Sequence, residues 1–440
     1  MEQFDLLSKL KIERLNSIKE RTFDHGRLRR LIYRFKNKSS ECGVLNALRL
    51  LVPKYTFFLI KMIKQRIRTL LKNWQFRKEL AELKNNISDK NSLVSESFPL
   101  VYAVRITGGL GDALMIARLI RDYQANVAKD FQFDIYCQSP GLVSYFYENI
   151  PGFRKCFYLE SYGLGVRGYD FALMANQFVT FDMEHFNAGR VIKFFPKVFE
   201  SYSTNIKERS KIEKFISAHP FLDGAFADIA TKKGKKRYSY LHEMLGLPYS
   251  GNEVPLTIDD TVLERLKISS YNYITIHDGW DNNFNLAAER PTKALPYMTW
   301  VSIVAHIKEQ LPEVKIVQLG GKMGADIPGV DFNFKDKISF KDSAAVIKNA
   351  LLHIDAETGL VHLGTSIGTK CMVVFGPTNI DWFGYDANIN IAPRQCGNCW
   401  WSSDTWMDSC PLGHKKPVCT SAHDPISIAE TAIEYLRDKI

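Results

Sequence analysis

Nowhere in the 440 residues does an uncharged apolar run reach the roughly 18 residues needed to cross a bilayer. The best candidate, Leu50 to Ile63, is broken by Lys54 and Lys61. The opening residues, Met1-Glu-Gln-Phe-Asp-Leu-Leu-Ser-Lys9, lack the charged-then-apolar order and small-residue cleavage site of a secretory leader. Both absences predict a cytoplasmic protein, whose eight cysteines are expected as thiols or metal ligands and not as disulfides. The body of the chain also lacks any excess of positive charge. Residues 1–90 hold 22 Lys and Arg against 9 Asp and Glu, and the rest of the chain carries a net −3. That distribution excludes a nucleic-acid surface on the body and confines any anionic partner to the N-terminal end.

A chain of 440 residues exceeds one hydrophobic core, so at least two domains are expected. Residues 1–96 read as a basic helical extension ending in a polar linker. It is either an appendage packed on the body or on another subunit, or an interfacial helix over Lys54–Trp74 that sets Lys61, Lys64, Arg66, Arg68 and Lys72 on anionic lipid. From Leu100 apolar runs alternate with amphipathic stretches, the pattern of a parallel doubly wound sheet. Leu100–Ile106, Phe131–Cys137 and Tyr169–Met174 read as strands, with helices at Asp112–Ala128 and Gly141–Asn149. Residues 190–250 show no readable order of elements. A second alternating series starts at Tyr273-Ile-Thr-Ile-His277 and closes with a helix over Pro425–Asp438. The α/β fold therefore divides into residues 97–265 and 266–440, with a ligand cleft expected between the two Rossmann-like halves.

Three stretches carry chemistry. Arg105-Ile-Thr-Gly108-Gly109-Leu-Gly111-Asp112 follows a strand and opens a helix, where glycines let a diphosphate or sugar approach the backbone. The second strand ends Tyr136-Cys137-Gln138, without the acidic residue that a nicotinamide dinucleotide site needs, which disfavours an oxidoreductase. Asp112 also suits a first helical turn with no function at all. Thr292-Lys293 precedes a helix carrying Trp300, and a lysine there opposes the helix dipole unless an anion is bound. The third stretch runs Asp355-Ala-Glu357-Thr358-Gly359-Leu360-Val361-His362-Leu363, followed by Phe375-Gly376-Pro377-Thr378. Free amides at such a helix start can hold a diphosphate.

In this order the motifs resemble those of the ADP-heptose:lipopolysaccharide heptosyltransferases, glycosyltransferase family nine, over roughly residues 100–440. The resemblance implies a GT-B architecture, inversion at the anomeric carbon and no catalytic metal. It implies Asp112 as base, Lys293 on the donor phosphates, and a donor site drawn from Gly108, Gly109, Gly111, Thr292, Gly320, Glu357, Thr358, Gly359, Leu360 and His362. The implied donor is a nucleotide sugar, ADP-heptose above others, and the acceptor an envelope glycan, glycolipid or protein. Glu357 departs from the family's Asp by one methylene. The related autotransporter heptosyltransferases carry extra N-terminal structure and an iron held by cysteines near the C-terminus.

Cys396, Cys399, Cys410 and Cys419 fall within 24 residues, and this spacing predicts a structural Fe or Zn, with His414 or His423 able to replace one thiol. Cys42, Cys137, Cys156 and Cys371 read as core. The expected activity is an inverting sugar transfer by a cytoplasmic enzyme, peripheral on the inner face of the membrane, with homo-oligomers compatible. The competing expectation is a catalytically degenerate GT-B protein acting as a membrane-associated scaffold.

Overall fold

Six of the seven residues in Leu-Val-Tyr-Ala-Val-Arg-Ile106 are apolar or aromatic, which suits a strand buried on both faces. The computed structural model describes residues 7, 9–12, 40, 100–187, 191, 195–280 and 290–440. In it this segment is β1 (Leu100–Ile106), the centre of a five-stranded sheet. The order is β3-β2-β1-β4-β5, with β2 Phe131–Cys137, β3 Phe153–Tyr158, β4 Phe171–Ala175 and β5 Val179–Phe181. Only the edge strand β5 pairs antiparallel. Tyr102 of β1 lies across from Phe133 and Phe171, and the three rings stack at 5.4 and 5.0 Å. Such aromatic pairs add about 0.5–1.5 kcal/mol each beyond their buried area.

Helix α1 (Leu110–Asn126) follows β1. Among the described residues, the segment whose order was unreadable holds the helices α2 (Pro196–Ser217), α3 (Asp223–Thr231) and α4 (Arg237–Leu245). Its long helix α2 is kinked at Ile212, which disrupts the apolar period there.

The second half is built on six parallel strands in the order β11-β10-β9-β6-β7-β8. These are β6 Tyr273–His277, β7 Lys315–Leu319, β8 Phe332–Asn333, β9 His353–Ala356, β10 Cys371–Val374 and β11 Ile389–Ile391. One face buries Ile274, Ile276, Ile316 and Ile354 beneath α5 (Tyr297–Gln310) and the closing helix α8 (Pro425–Arg437). The other packs Tyr273, Val317 and Val373 against α6 (Phe340–Lys348) and α7 (Gly359–Ser366). Each sheet is thus covered by helices, and the expected pair of Rossmann-like domains is present.

Helix α1 of the first half docks on α7 of the second. Arg118 is fully buried there and donates from Nη1 to the Tyr385 hydroxyl at 2.7 Å. Its Nη2 donates to Ser366 Oγ at 2.7 Å and to the His362 carbonyl at 3.2 Å. The extension meets the body at Lys11, whose Nζ sits 3.0 Å from both Asp228 on α3 and Asn398 in the second half. The expected interfacial helix, Lys54–Trp74, lies outside the described residues. Among those described, no helix is long and apolar enough to cross a membrane.

Candidate functional site

The carboxyl ends of β1 and β9 face each other, because α1 and α7 start there and touch. A Cβ added at Gly111 would collide with the His362 ring, and one at Gly359 would lie 3.3 Å from Leu110 Cβ. Only glycine at 111 allows this approach. On the first side, Gly108 has φ +130° and leaves room for the Asp112 side chain folded over it. Asp112 Oδ2 accepts from the Gly109 amide at 3.0 Å and so caps α1, as its place in the first turn predicts. Its Oδ1 lies 3.3 Å from Nη2 of Arg237, the first residue of α4.

Arg237 escaped the sequence reading, because it ends the run Lys232-Lys-Gly-Lys-Lys-Arg237, which looks like solvated surface. It is buried to 1% exposure. Nη2 also donates to the Asn176 carbonyl at 2.6 Å and Nε to Gln177 Oε1 at 2.7 Å, just past the end of β4. The next residue, Phe178, packs its ring edge to face with His219, 6.2 Å between centroids. His219 Nδ1 holds Asp223 at 2.9 Å. Burial alone would lower the His219 pKa, but the charge and hydrogen bond of Asp223, with Asp112 adding, take it above the ordinary value.

On the second side, Thr358 caps α7, its Oγ1 accepting from the Leu360 amide at 3.2 Å while its hydroxyl donates to Asp355. Asp355 is fully buried between His277 at 3.0 Å and His353 at 3.5 Å. Burial would raise its carboxyl, but the charge and hydrogen bond of His277, then those of His353, bring it down to about 2. Gly320, at the end of β7, packs against the His277 ring. The His362 ring bonds Tyr385 OH through Nδ1 at 2.7 Å and Glu357 Oε1 through Nε2 at 3.2 Å. Since Arg118 donates to the Tyr385 oxygen, the tyrosine proton goes to Nδ1, and His362 carries its own proton on Nε2 toward Glu357. Burial pushes the Glu357 carboxyl up, but that hydrogen bond and the Lys293 charge bring it below the usual value. Lys293 Nζ donates to the Glu357 carbonyl at 3.3 Å. Thr292 instead anchors the cysteine loop, its amide and hydroxyl donating to the Met407 and Trp406 carbonyls at 3.0 and 2.8 Å.

The metal expected in that loop is not supported. Cys396, Cys399 and Cys419 are buried free thiols, Cys410 is partly buried, and the Lys11 ammonium reaches Asn398 beside Cys399 in the chain. Among the described residues, no group of three or more His, Cys, Asp or Glu is arranged to hold a metal ion. The Lys11 ammonium is bound to Asp228 and Asn398, each at 3.0 Å, and His423 is engaged by the Phe375 carbonyl at 2.8 Å. The expectation of structural Fe or Zn on Cys396, Cys399, Cys410 and Cys419 is therefore corrected: these residues fill the loop core as small thiols.

Two Rossmann-like domains meeting at their strand carboxyl ends define a two-domain α/β protein of the GT-B type. No protein-family model matches the chain, and no curated protein does. Among solved structures it is similar to E. coli ADP-heptose lps heptosyltransferase II, at 12% identity and a TM-score of 0.48 over 77% of this chain and 99% of that one. A glycosyl transferase family 9 protein from Veillonella parvula matches at 12% and 0.46, over 77% and 97%. The iron-containing dodecameric glycosyltransferase TibC from enterotoxigenic E. coli matches at 12% and 0.48, over 78% and 79%. Likeness at this level bears on neither donor nor acceptor.

Proposed function

We propose that the chain is an inverting glycosyltransferase that moves a sugar of the heptose class from a nucleotide-sugar donor to an envelope glycan, glycolipid or protein. The observation that supports this reading is the close approach of Gly111 to the His362 ring, which brings the start of α1, with Asp112, against the start of α7 at the seam of the two halves. The first amides of α7 and the Lys293 ammonium form a positive end suited to a diphosphate. The carboxylates of Glu357 and Asp112 are hydrogen-bond acceptors suited to sugar or ribose hydroxyls. In a single displacement Asp112 takes the acceptor hydroxyl's proton as the oxygen attacks the anomeric carbon. Charge growing on the leaving diphosphate is met by Lys293 and α7.

The basic extension supports a place at the anionic inner face of the cytoplasmic membrane, tested by flotation with anionic vesicles. The central test is a thermal-shift screen over nucleoside diphosphates and nucleotide sugars, since a ligand that binds only the folded form raises the melting temperature. The reading expects adenine nucleotide sugars to give the largest shift, abolished by Lys293→Ala. No shift with any of them leaves the scaffold protein as the better description.

A further inference from the structure

We infer that Arg237 is the positioning residue of Asp112: it fixes that carboxylate against the acceptor and takes no part in donor binding. This inference rests on the glycosyltransferase reading and adds a residue that neither the motifs nor the fold assigns. A carboxylate at the start of a helix needs only its capping bond to stay folded, and Asp112 has that through Gly109. The guanidinium on its other oxygen comes from 125 residues further along the chain. The guanidinium reaches Asp112 through Nη2 alone, one charge-assisted contact at 3.3 Å whose direction is set by the other bonds Arg237 makes. The fork is itself fixed, by Gln177 on Nε and the Asn176 carbonyl on Nη2, both on the turn that ends β4. Its other nitrogen, Nη1, is buried without a partner among the described residues, as is Nε2 of Gln177. Lys293, by contrast, stands on the far side, against Glu357.

The test is a kinetic cycle on the full chain, with the sugar donor identified by the thermal screen. Arg237→Ala is expected to lower kcat about 100-fold with donor KM and nucleoside-diphosphate affinity within about threefold of wild type. Added guanidinium ion restores part of that loss, and Arg237→Lys recovers less than guanidinium does. In an Asp112→Asn background, Arg237→Ala costs nothing further, because both changes remove one function. Should Arg237→Ala fold poorly, Gln177→Leu frees the same fork from the other side and gives a smaller kcat loss of the same kind. An equal loss in the Asp112→Asn background, or weakened nucleotide binding with kcat kept, overturns the inference while leaving the transferase reading intact. A wild-type chain that binds no nucleotide and transfers no sugar overturns both.

Discussion

On the proposed mechanism Asp112 both caps α1 and serves as base, and a single substitution separates the two. Asn keeps the side-chain oxygen that accepts from the Gly109 amide, so α1 stays capped. It removes the proton acceptor. Asp112→Asn is therefore expected to cut turnover by about 100-fold or more with donor affinity kept, measured by initial rates and calorimetry; full turnover in the variant would reduce Asp112 to a cap. Tyr385 gives the converse case, a residue whose loss acts on structure first. Its hydroxyl joins Arg118 to His362, so Tyr385→Phe strands one buried guanidinium nitrogen and one ring nitrogen. A cost of about 1–3 kcal/mol is expected in urea unfolding; an unchanged midpoint would remove the hydroxyl from the network. At this scale the sequence was legible wherever local structure follows chain order: Gly108 to Asp112 and Glu357 to His362 each form one turn and one helix start. Arg237, Tyr385, Arg118 and His219 were not, since their meaning comes from partners more than a hundred residues away or, for His219, from the fold around it. The cysteines misled for the same reason. Their spacing suits a metal, and only the fold shows that, among the described residues, no three of them are arranged to hold one.

Among elements, α7 shows how local order reaches the site. Its cap Thr358 is itself held by Asp355, so the buried carboxylate sets where the helix starts. The folded-state pKa of Asp355 is lowered from 3.8 to about 2, so its stabilisation is complete above about pH 4 and disappears as pH falls toward 2. The shift corresponds to about 2 kcal/mol. The unfolding free energy of wild type, from urea titrations, should drop by that much more between pH 5 and 2 than that of Asp355→Asn; parallel curves would show that Asp355 is not held low by His277 and His353. Strands β1 and β2 could be read with their ends in place, because most of their seven residues are apolar or aromatic and polar turns bound them, whereas the expected Tyr169–Met174 is β4 at Phe171–Ala175. Strands β5, β8 and β11 have two or three residues, too few to show any period. The expected helix over Gly141–Asn149 is a short helical turn at Pro140–Val143 continuing into a tighter one at Ser144–Phe146.

At the scale of the molecule, the two halves are joined on one side by Arg118 and on another by Asp228. Asp228 Oδ1 accepts from Asn398 at 2.8 Å and Asn379 at 3.2 Å, both in the second half, and Lys11 of the extension completes the group. Lys11 is 3% exposed, and burial lowers its pKa even though Asp228 opposes the shift. The extension is thus tied to the seam between the domains at its first turns, whatever the rest of its positive charge meets. Removing residues 1–96 to test membrane binding removes this tie as well, so the truncated chain differs from wild type in two respects. Lys11→Met separates them. It keeps the other 21 basic residues of the first 90 and most of the side-chain volume, and leaves Asp228 with its two asparagines. Breaking a buried ion pair on one side is expected to cost about 1–3 kcal/mol in urea unfolding. Vesicle flotation should be unchanged in this variant if the distributed charge holds the membrane. If Lys11→Met unfolds at the wild-type midpoint, the seam is held by Asn379 and Asn398 alone. If it loses flotation as fully as the truncated chain, the extension acts through its docking on the body and not through its charge.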